Sequence, residues 1–213
     1  MRLGIFGGTF NPIHIGHLRV AEEVRESLDL ERIIFVPSYL PPHKELSHNV
    51  TGSRRLEIVK MALKSNPFFE VSSFEVENQQ SSYSIKTIEH IRELYGCTPY
   101  FILGRDAFNE ISSWYQAQRL FDLSHFAVMS RPEAPVCPLS DVLGEGARKF
   151  QTTPRGFINA LGNEIVFVEV TAYTVSSSRI RELCIKGRSI RYLVPEEVHD
   201  YIRKERIYSE DVT

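Results

Sequence analysis

The sequence predicts an α/β protein built on a doubly wound parallel sheet with helices on both faces. Short apolar stretches alternate along the chain with longer stretches of helical spacing, the pattern of strands and helices taken in turn. The strand-like stretches are short and apolar, as expected for strands of a parallel sheet buried on both faces. The first of them runs directly into Gly7-Gly8 and then into a helical pattern, the order of a strand, a ligand loop and a helix.

Each element is readable in order. Arg2–Phe6 is a short strand ended by the two glycines, and from Gly16 the residues Leu18, Ala21, Val24 and Leu28 recur at spacings of three and four. Arg32–Val36 is a second strand, stopped by Pro37, and a proline-rich loop follows over residues 38–49. Ser53–Lys64 reads as a helix with Leu56, Val59 and Leu63 on one face, and Glu70–Val76 as one or two short strands. Ser84–Tyr95 is helical and closed by Gly96, and Tyr100–Leu103 and His125–Met129 are strands on either side of a helical stretch around Trp114–Phe121. Residues 131–162 are rich in Pro and Gly and resist assignment, apart from a helix around Asp141–Gln151. Ile165–Val170 is the last strand, followed by helices over Ser177–Ile185 and Glu196–Arg206, the second opened by Pro195.

The 213 residues match one domain, 1–213, with a small C-terminal helical part from about residue 177. Hydrophobic residues make up 42% and charged residues 24%, enough apolar material for a core without staples. A net charge of −2 excludes a strongly basic nucleic-acid binder and leaves anionic ligands to a few placed cations. Cys97, Cys137 and Cys184 are odd in number and far apart, which argues against a disulfide framework or zinc ribbon and suits a reducing cytoplasm. No apolar run is long enough to span a bilayer, so no membrane partner is expected. The oligomeric state is open, a homo-oligomer included.

Chemistry concentrates in the first loop, Gly7-Gly8-Thr9-Phe10-Asn11-Pro12-Ile13-His14-Ile15-Gly16-His17. The paired glycines allow close backbone approach or positive φ, and Pro12 fixes a turn before the helix. His14 and His17 lie at a helix start, where free N–H groups and the helix dipole favour an anion, and imidazoles three residues apart reach one phosphate. A metal site or a satisfied helix start is the plainer alternative. There are no evident Cys or carboxylate companions, although His43 and His48 stay open, and no protein-built metal site is expected. Neither common phosphate-loop motif is present. A second polar cluster, Val175-Ser176-Ser177-Ser178-Arg179-Ile180-Arg181, opens a helix after the last strand, where serines cap N–H groups and Arg181 suits a polyphosphate.

The string GGTFNPIHIGH resembles the opening motif of the H/T-x-G-H nucleotidyltransferase superfamily, in which it grips a nucleoside triphosphate. Class I aminoacyl-tRNA synthetases share the signature, but 213 residues leave little room for their tRNA-binding parts. Residues 175–181 resemble the ISSTxIR motif of the adenylyltransferases in that superfamily, with Val175 for Ile and Ser178 for Thr. Pro41-Pro42-His43-Lys44, Ser82-Tyr83-Ser84, Gly104-Arg105-Asp106, Trp114-Tyr115 and Arg131-Pro132 resemble, in family order, segments of bacterial nicotinate-mononucleotide adenylyltransferases.

That resemblance implies a Rossmann-like fold and an enzyme that transfers AMP from ATP to nicotinate mononucleotide, giving deamido-NAD and pyrophosphate, with Mg²⁺ accompanying ATP. It implies His14 and His17 as catalytic donors, and Gly7, Gly8, Thr9, Phe10, Gly104, Asp106, Ser177, Ser178 and Arg181 as further ATP contacts. It implies Asn11, Lys44, Ser84, Trp114, Tyr115 and Arg131 on the mononucleotide, with Asn11 standing where relatives often carry Asp. Nicotinamide mononucleotide or phosphopantetheine as acceptor, and a non-catalytic nucleotide-binding domain, are the competing readings. The last is opposed by the intact histidines, serines and Arg181. A mononucleotide phosphate is largely dianionic at pH 7, because its second pKa is near 6, so direct in-line attack on the α-phosphorus needs no general base.

Overall fold

Leu3, Gly4, Ile5 and Phe6 are all buried, on both faces of the first strand, as a strand in the interior of a sheet must be. The structure is a computed structural model and describes residues 1–40, 50–130, 138–171 and 173–209. Among these residues the strands are β1 (Leu3–Gly8), β2 (Arg32–Pro37), β3 (Phe69–Val71), β4 (Tyr100–Gly104), β5 (His125–Ser130), β6 (Phe150–Thr153), β7 (Gly156–Asn159) and β8 (Glu164–Glu169). They form one sheet in the order β3-β2-β1-β4-β5-β8-β7-β6. The first six positions follow the doubly wound order, in which the chain starts mid-sheet, runs to one edge, and returns to continue on the other side of β1. The order reverses between β1 and β4, and the first loop leaves β1 at this point.

The expected parallel sheet is present in β1, β4, β5 and β8, with Ile5 opposite Phe101, Ile102 opposite Ala127 and Val128 opposite Phe167. The helices are α1 (Ile15–Ser27), α2 (Gly52–Leu63), α3 (Phe74–Asn78), α4 (Ser84–Tyr95), α5 (Arg105–Asn109), α6 (Ala117–Leu123), α7 (Leu139–Leu143), α8 (Ser177–Ile185) and α9 (Glu196–Lys204). None is long and apolar enough to cross a membrane.

Two local expectations are corrected and an unassigned stretch is resolved. Phe74–Val76 belongs to α3 and not to a strand, because Ser73 starts a helical turn whose Val76 is buried. The helix around Asp141–Gln151 is only α7 followed by a 3-10 turn, Gly144–Lys149, since Gly144 breaks it at φ 53°. Phe150–Asn159 is instead the hairpin β6-β7, which adds to β8 antiparallel with Phe157 opposite Ile165. Gly156 permits that junction: at φ 151° a Cβ would sit 1.9 Å from the Ile165 carbonyl oxygen.

The chain divides into two compact units. The first comprises Met1–Gly7, Glu23–Ile33 and Tyr83–Ala172, the second Gly8–Glu22, Ile34–Ser82 and Tyr173–Thr213. In the first, Phe126 packs on both Phe101 and Phe121, and buried Asn163 donates to the Phe121 and Asp122 carbonyls. In the second, Phe35 packs on Phe10 and Phe69. Thr51 caps α2 there by accepting from the Arg54 N–H, and α2 turns Ile58 and Val59 inward.

Candidate active site

The first loop owes its shape to groups inside the second unit. Neither Gly7 nor Gly8 has the positive φ that paired glycines suggested; it falls on Phe10, at 45°. The buried Phe10 ring turns back over Gly8, where a Cβ would meet it at 2.9 Å, so Gly8 is small to admit its own loop's aromatic. Gly7 ends the first unit and is exposed. Pro12 follows a cis peptide, and Asn11, Pro12, Ile13 and His14 are all buried.

Ser177 at the start of α8 donates its hydroxyl to the Pro12 carbonyl at 2.8 Å, and Arg181 one turn later donates Nη1 to the Asn11 carbonyl at 2.8 Å. Arg181 Nη2 also reaches Ser178 Oγ at 3.3 Å. The helix cap itself is Ser176, whose hydroxyl accepts from the Arg179 N–H. The two stretches that stood out in the sequence are thus bound together. Ser177 and Arg181 grip the loop's backbone, and exposed Ser178 stands at the helix start with its N–H end toward any anion.

Two further residues hold the loop, and sequence reasoning missed both. Arg55 on α2 is fully buried and donates to three carbonyls: Thr9 at 2.6 Å, Tyr39 at 3.1 Å and Val50 at 3.4 Å. Tyr208 is buried and donates its hydroxyl to Asn11 Oδ1 at 2.7 Å. Burial pushes its pKa above the ordinary phenol range, so it remains a donor.

On this scaffold the His14 and His17 rings stack with centroids 3.7 Å apart, and Phe10 meets His17 edge-on at 5.2 Å. His17 Nδ1 accepts from the His14 N–H at 3.2 Å, so the neutral His17 ring carries its proton on Nε2. His14 Nδ1 is buried without a hydrogen-bond partner, a polar atom of the kind kept for a ligand. Burial lowers the pKa of His14 to about 4. Burial, then the neighbouring His14, lowers that of His17 to about 3. Both rings are therefore neutral donors at pH 7 in the free protein. The pair can hydrogen-bond one oxyanion, and among the described residues no three His, Cys, Asp or Glu side chains cluster as metal ligands.

The remaining described candidates lie in the first unit. Gly104 ends β4 and caps α5, and Asp106 is exposed in the first turn of α5, where the helix dipole favours a carboxylate. Ser84 opens α4. Trp114 is half-buried with its ring edge-on to Phe101 at 6.1 Å, and Tyr115, 53% exposed, packs on Tyr83 at 4.7 Å. Lys44 and Arg131, with the stretches Pro41–Lys44 and Arg131–Pro132, lie outside the described residues.

Comparison with known proteins identifies the family of the chain. A family model described as cytidylyltransferase-like matches residues 5–183. A protein of Geotalea daltonii named "probable nicotinate-nucleotide adenylyltransferase" is 42% identical over 99% of both chains. One of Syntrophotalea carbinolica with the same name is 40% identical over 98% of this chain and 97% of its own. Among solved structures, the Plasmodium falciparum nicotinic acid mononucleotide adenylyltransferase complexed with NaAD superposes with a TM-score of 0.70 at 18% identity, covering 97% of each chain. At that identity the likeness concerns the fold. End-to-end matches near 40% settle membership: the chain belongs to the nicotinate-nucleotide adenylyltransferases, within the wider cytidylyltransferase-like family.

Proposed function

We propose that the protein transfers the AMP moiety of ATP to the phosphate of nicotinate mononucleotide, yielding nicotinate adenine dinucleotide and pyrophosphate. The observation that carries this is the stacked His14–His17 pair on a buried loop that α8 grips through Ser177 and Arg181. Such a site positions and neutralises phosphate without offering a nucleophile of its own, which is what direct nucleotidyl transfer needs.

The dianionic mononucleotide phosphate attacks the α-phosphorus of ATP in line, forming one P–O bond as the bond to pyrophosphate breaks. His17 donates from Nε2, and His14 from its ring, to the α-phosphoryl oxygens as charge builds there. Each preorganised donor contributes roughly 3–4 kcal/mol, and holding the two substrates together roughly 7–11 kcal/mol. The backbone from Gly7 to Phe10, the α8 start with Ser177 and Ser178, and Arg181 hold the triphosphate. Since Ser177 and Arg181 already bond the loop, their first task is to keep it in place. Gly104 and Asp106 take the ATP ribose. Ser84, Trp114 and Tyr115 take the pyridine ring and its carboxylate, Lys44 and Arg131 the mononucleotide phosphate, and Asn11 shapes the loop beneath it. Asn11 Oδ1 already accepts from Tyr208, so the triphosphate oxygens would supply most of the ligands of an accompanying Mg²⁺. When bound, Mg²⁺ neutralises the polyphosphate and the departing pyrophosphate.

The test is pyrophosphate release from Mg·ATP with nicotinate mononucleotide, nicotinamide mononucleotide and phosphopantetheine offered separately. Release dominated by the nicotinate compound, with the dinucleotide formed in step, is the expected outcome. Preference for another acceptor moves the substrate assignment, and no release with any of them removes the transfer reaction.

A further inference from the structure

The second unit contains a cavity of about 330 Å³ at the carboxyl ends of α8 and α9, lined by residues the transfer reaction does not use. Arg188, Arg203 and Arg206 border it, with the hydroxyls of Ser189 and Ser209 and the buried ring of His199. His199 is held through Nδ1 by exposed Asp200 at 2.9 Å. Among the described residues no carboxylate lines the cavity, and no hydrogen bond or ion pair engages the three guanidinium groups.

Arginines near helix carboxyl ends often only complement the helix dipole, and Arg203, in the last turn of α9, suits that use. The charges do not balance on that account alone. Two helix ends amount to about one negative charge at roughly −0.5 each, against three guanidiniums, leaving an excess of about two positive charges around one concavity. Like charges facing a shared cavity repel one another, and an anion relieves that repulsion. Guanidinium forks match phosphate oxygens bidentately, and the serines add neutral donors. The volume, at the lower end for small-molecule sites, limits the ligand to a compact one.

We propose that this cavity is a second anion site, distinct from the first loop, that binds a small di- or polyphosphate. Its wall is continuous with the loop's support. Arg206 and Ser209 belong to the turn that carries Tyr208, with Arg206 and Tyr208 both at positive φ, the Ile207 N–H bonded to Ile202 and the Ser209 hydroxyl to the Arg206 carbonyl. An anion held by that turn steadies the tyrosine that fixes Asn11.

Inorganic pyrophosphate is the probe, titrated calorimetrically into the full chain with the nucleotide site saturated by a non-hydrolysable ATP analogue. One further pyrophosphate binds per chain, and Arg188→Gln with Arg203→Gln weakens it at least tenfold while the analogue's affinity and the melting temperature hold. Arg203→Glu, tested separately, weakens it further. No pyrophosphate binding beyond the analogue, or an unchanged Kd in the double variant, overturns the site. Hydrogen exchange at the Tyr208 amide slows at least twofold with pyrophosphate bound, and unchanged exchange overturns the link to the loop.

Discussion

The two units hold their candidate residues in opposite ways. In the second, the loop residues Asn11 and His14 are buried, and the loop's backbone carbonyls are bonded by Arg55, Ser177 and Arg181. In the first, Asp106 and Tyr115 are exposed, and the Trp114 and Tyr115 side chains make ring contacts with Phe101 and Tyr83. The difference fits the roles proposed for each. Donors to a developing charge act by standing in place beforehand, which needs a rigid surround. Aromatic groups that cover a planar ring need only contact area, and exposed side chains supply it with less order. Stability and turnover should therefore respond to changes in the second unit, and mononucleotide affinity to changes in the first.

The sharpest way to break that contrast is Arg55→Leu. It leaves the Thr9, Tyr39 and Val50 carbonyls without their donor, at roughly 1–3 kcal/mol each, for a loss of at least about 3 kcal/mol in urea unfolding. A loss under about 1 kcal/mol would place the bracing elsewhere. Acid should act next. Unfolded imidazoles take up protons near pH 6.5, but the folded His14 and His17 rings only near about 4 and about 3. Stability is thus complete above pH 6.5 and falls as pH drops toward 3, by on the order of 3 kcal/mol for both rings between pH 6.5 and 5. Unfolding curves at those two pH values check it, and His17→Ala should flatten the slope.

His17→Ala should lower kcat by about a hundredfold or more while the far-UV spectrum is kept. Near-normal turnover would remove His17 from the chemistry. Tyr208→Phe leaves Asn11 Oδ1 without its phenolic donor and should lower stability by roughly 1–2 kcal/mol, seen as a lower melting temperature. The smallest effect belongs to the first unit. Tyr115→Ala should raise the KM for nicotinate mononucleotide about two- to tenfold, matching 0.5–1.5 kcal/mol of aromatic contact, and leave stability within about 0.5 kcal/mol. A fall in stability like that of Tyr208→Phe would erase the contrast between the units.

Much of the fold is legible because periodic patterns report burial. Ser84–Tyr95 and Ser177–Ile185 have the bounds their spacing predicts. What escaped is short or half-buried. Arg105–Asn109 is too brief to show a period, and the residues of β7 are intermediate in burial throughout, so that strand lacks a clear alternation. The site divides the same way. His14, His17, Ser177 and Arg181 carry local patterns, and the structure gathers them in one unit. Arg55 reads as one more charge on a helix, since its carbonyl partners come from three separate segments, and Tyr208 has no local signature at all. Long-range bonds to backbone leave no trace in spacing.

The Tyr208–Asn11 bond joins residues 197 positions apart. During synthesis the first loop leaves the ribosome well before the residue that fixes Asn11 is made. At roughly 5–20 residues per second, the loop waits about 10–40 s for that partner. A nascent chain stalled before α8 and Tyr208 therefore has both histidines and Arg55 yet lacks the Ser177, Arg181 and Tyr208 bonds to their loop. The bracing of the loop is complete only once Tyr208 has been made, and fragments released before it carry the loop half-braced.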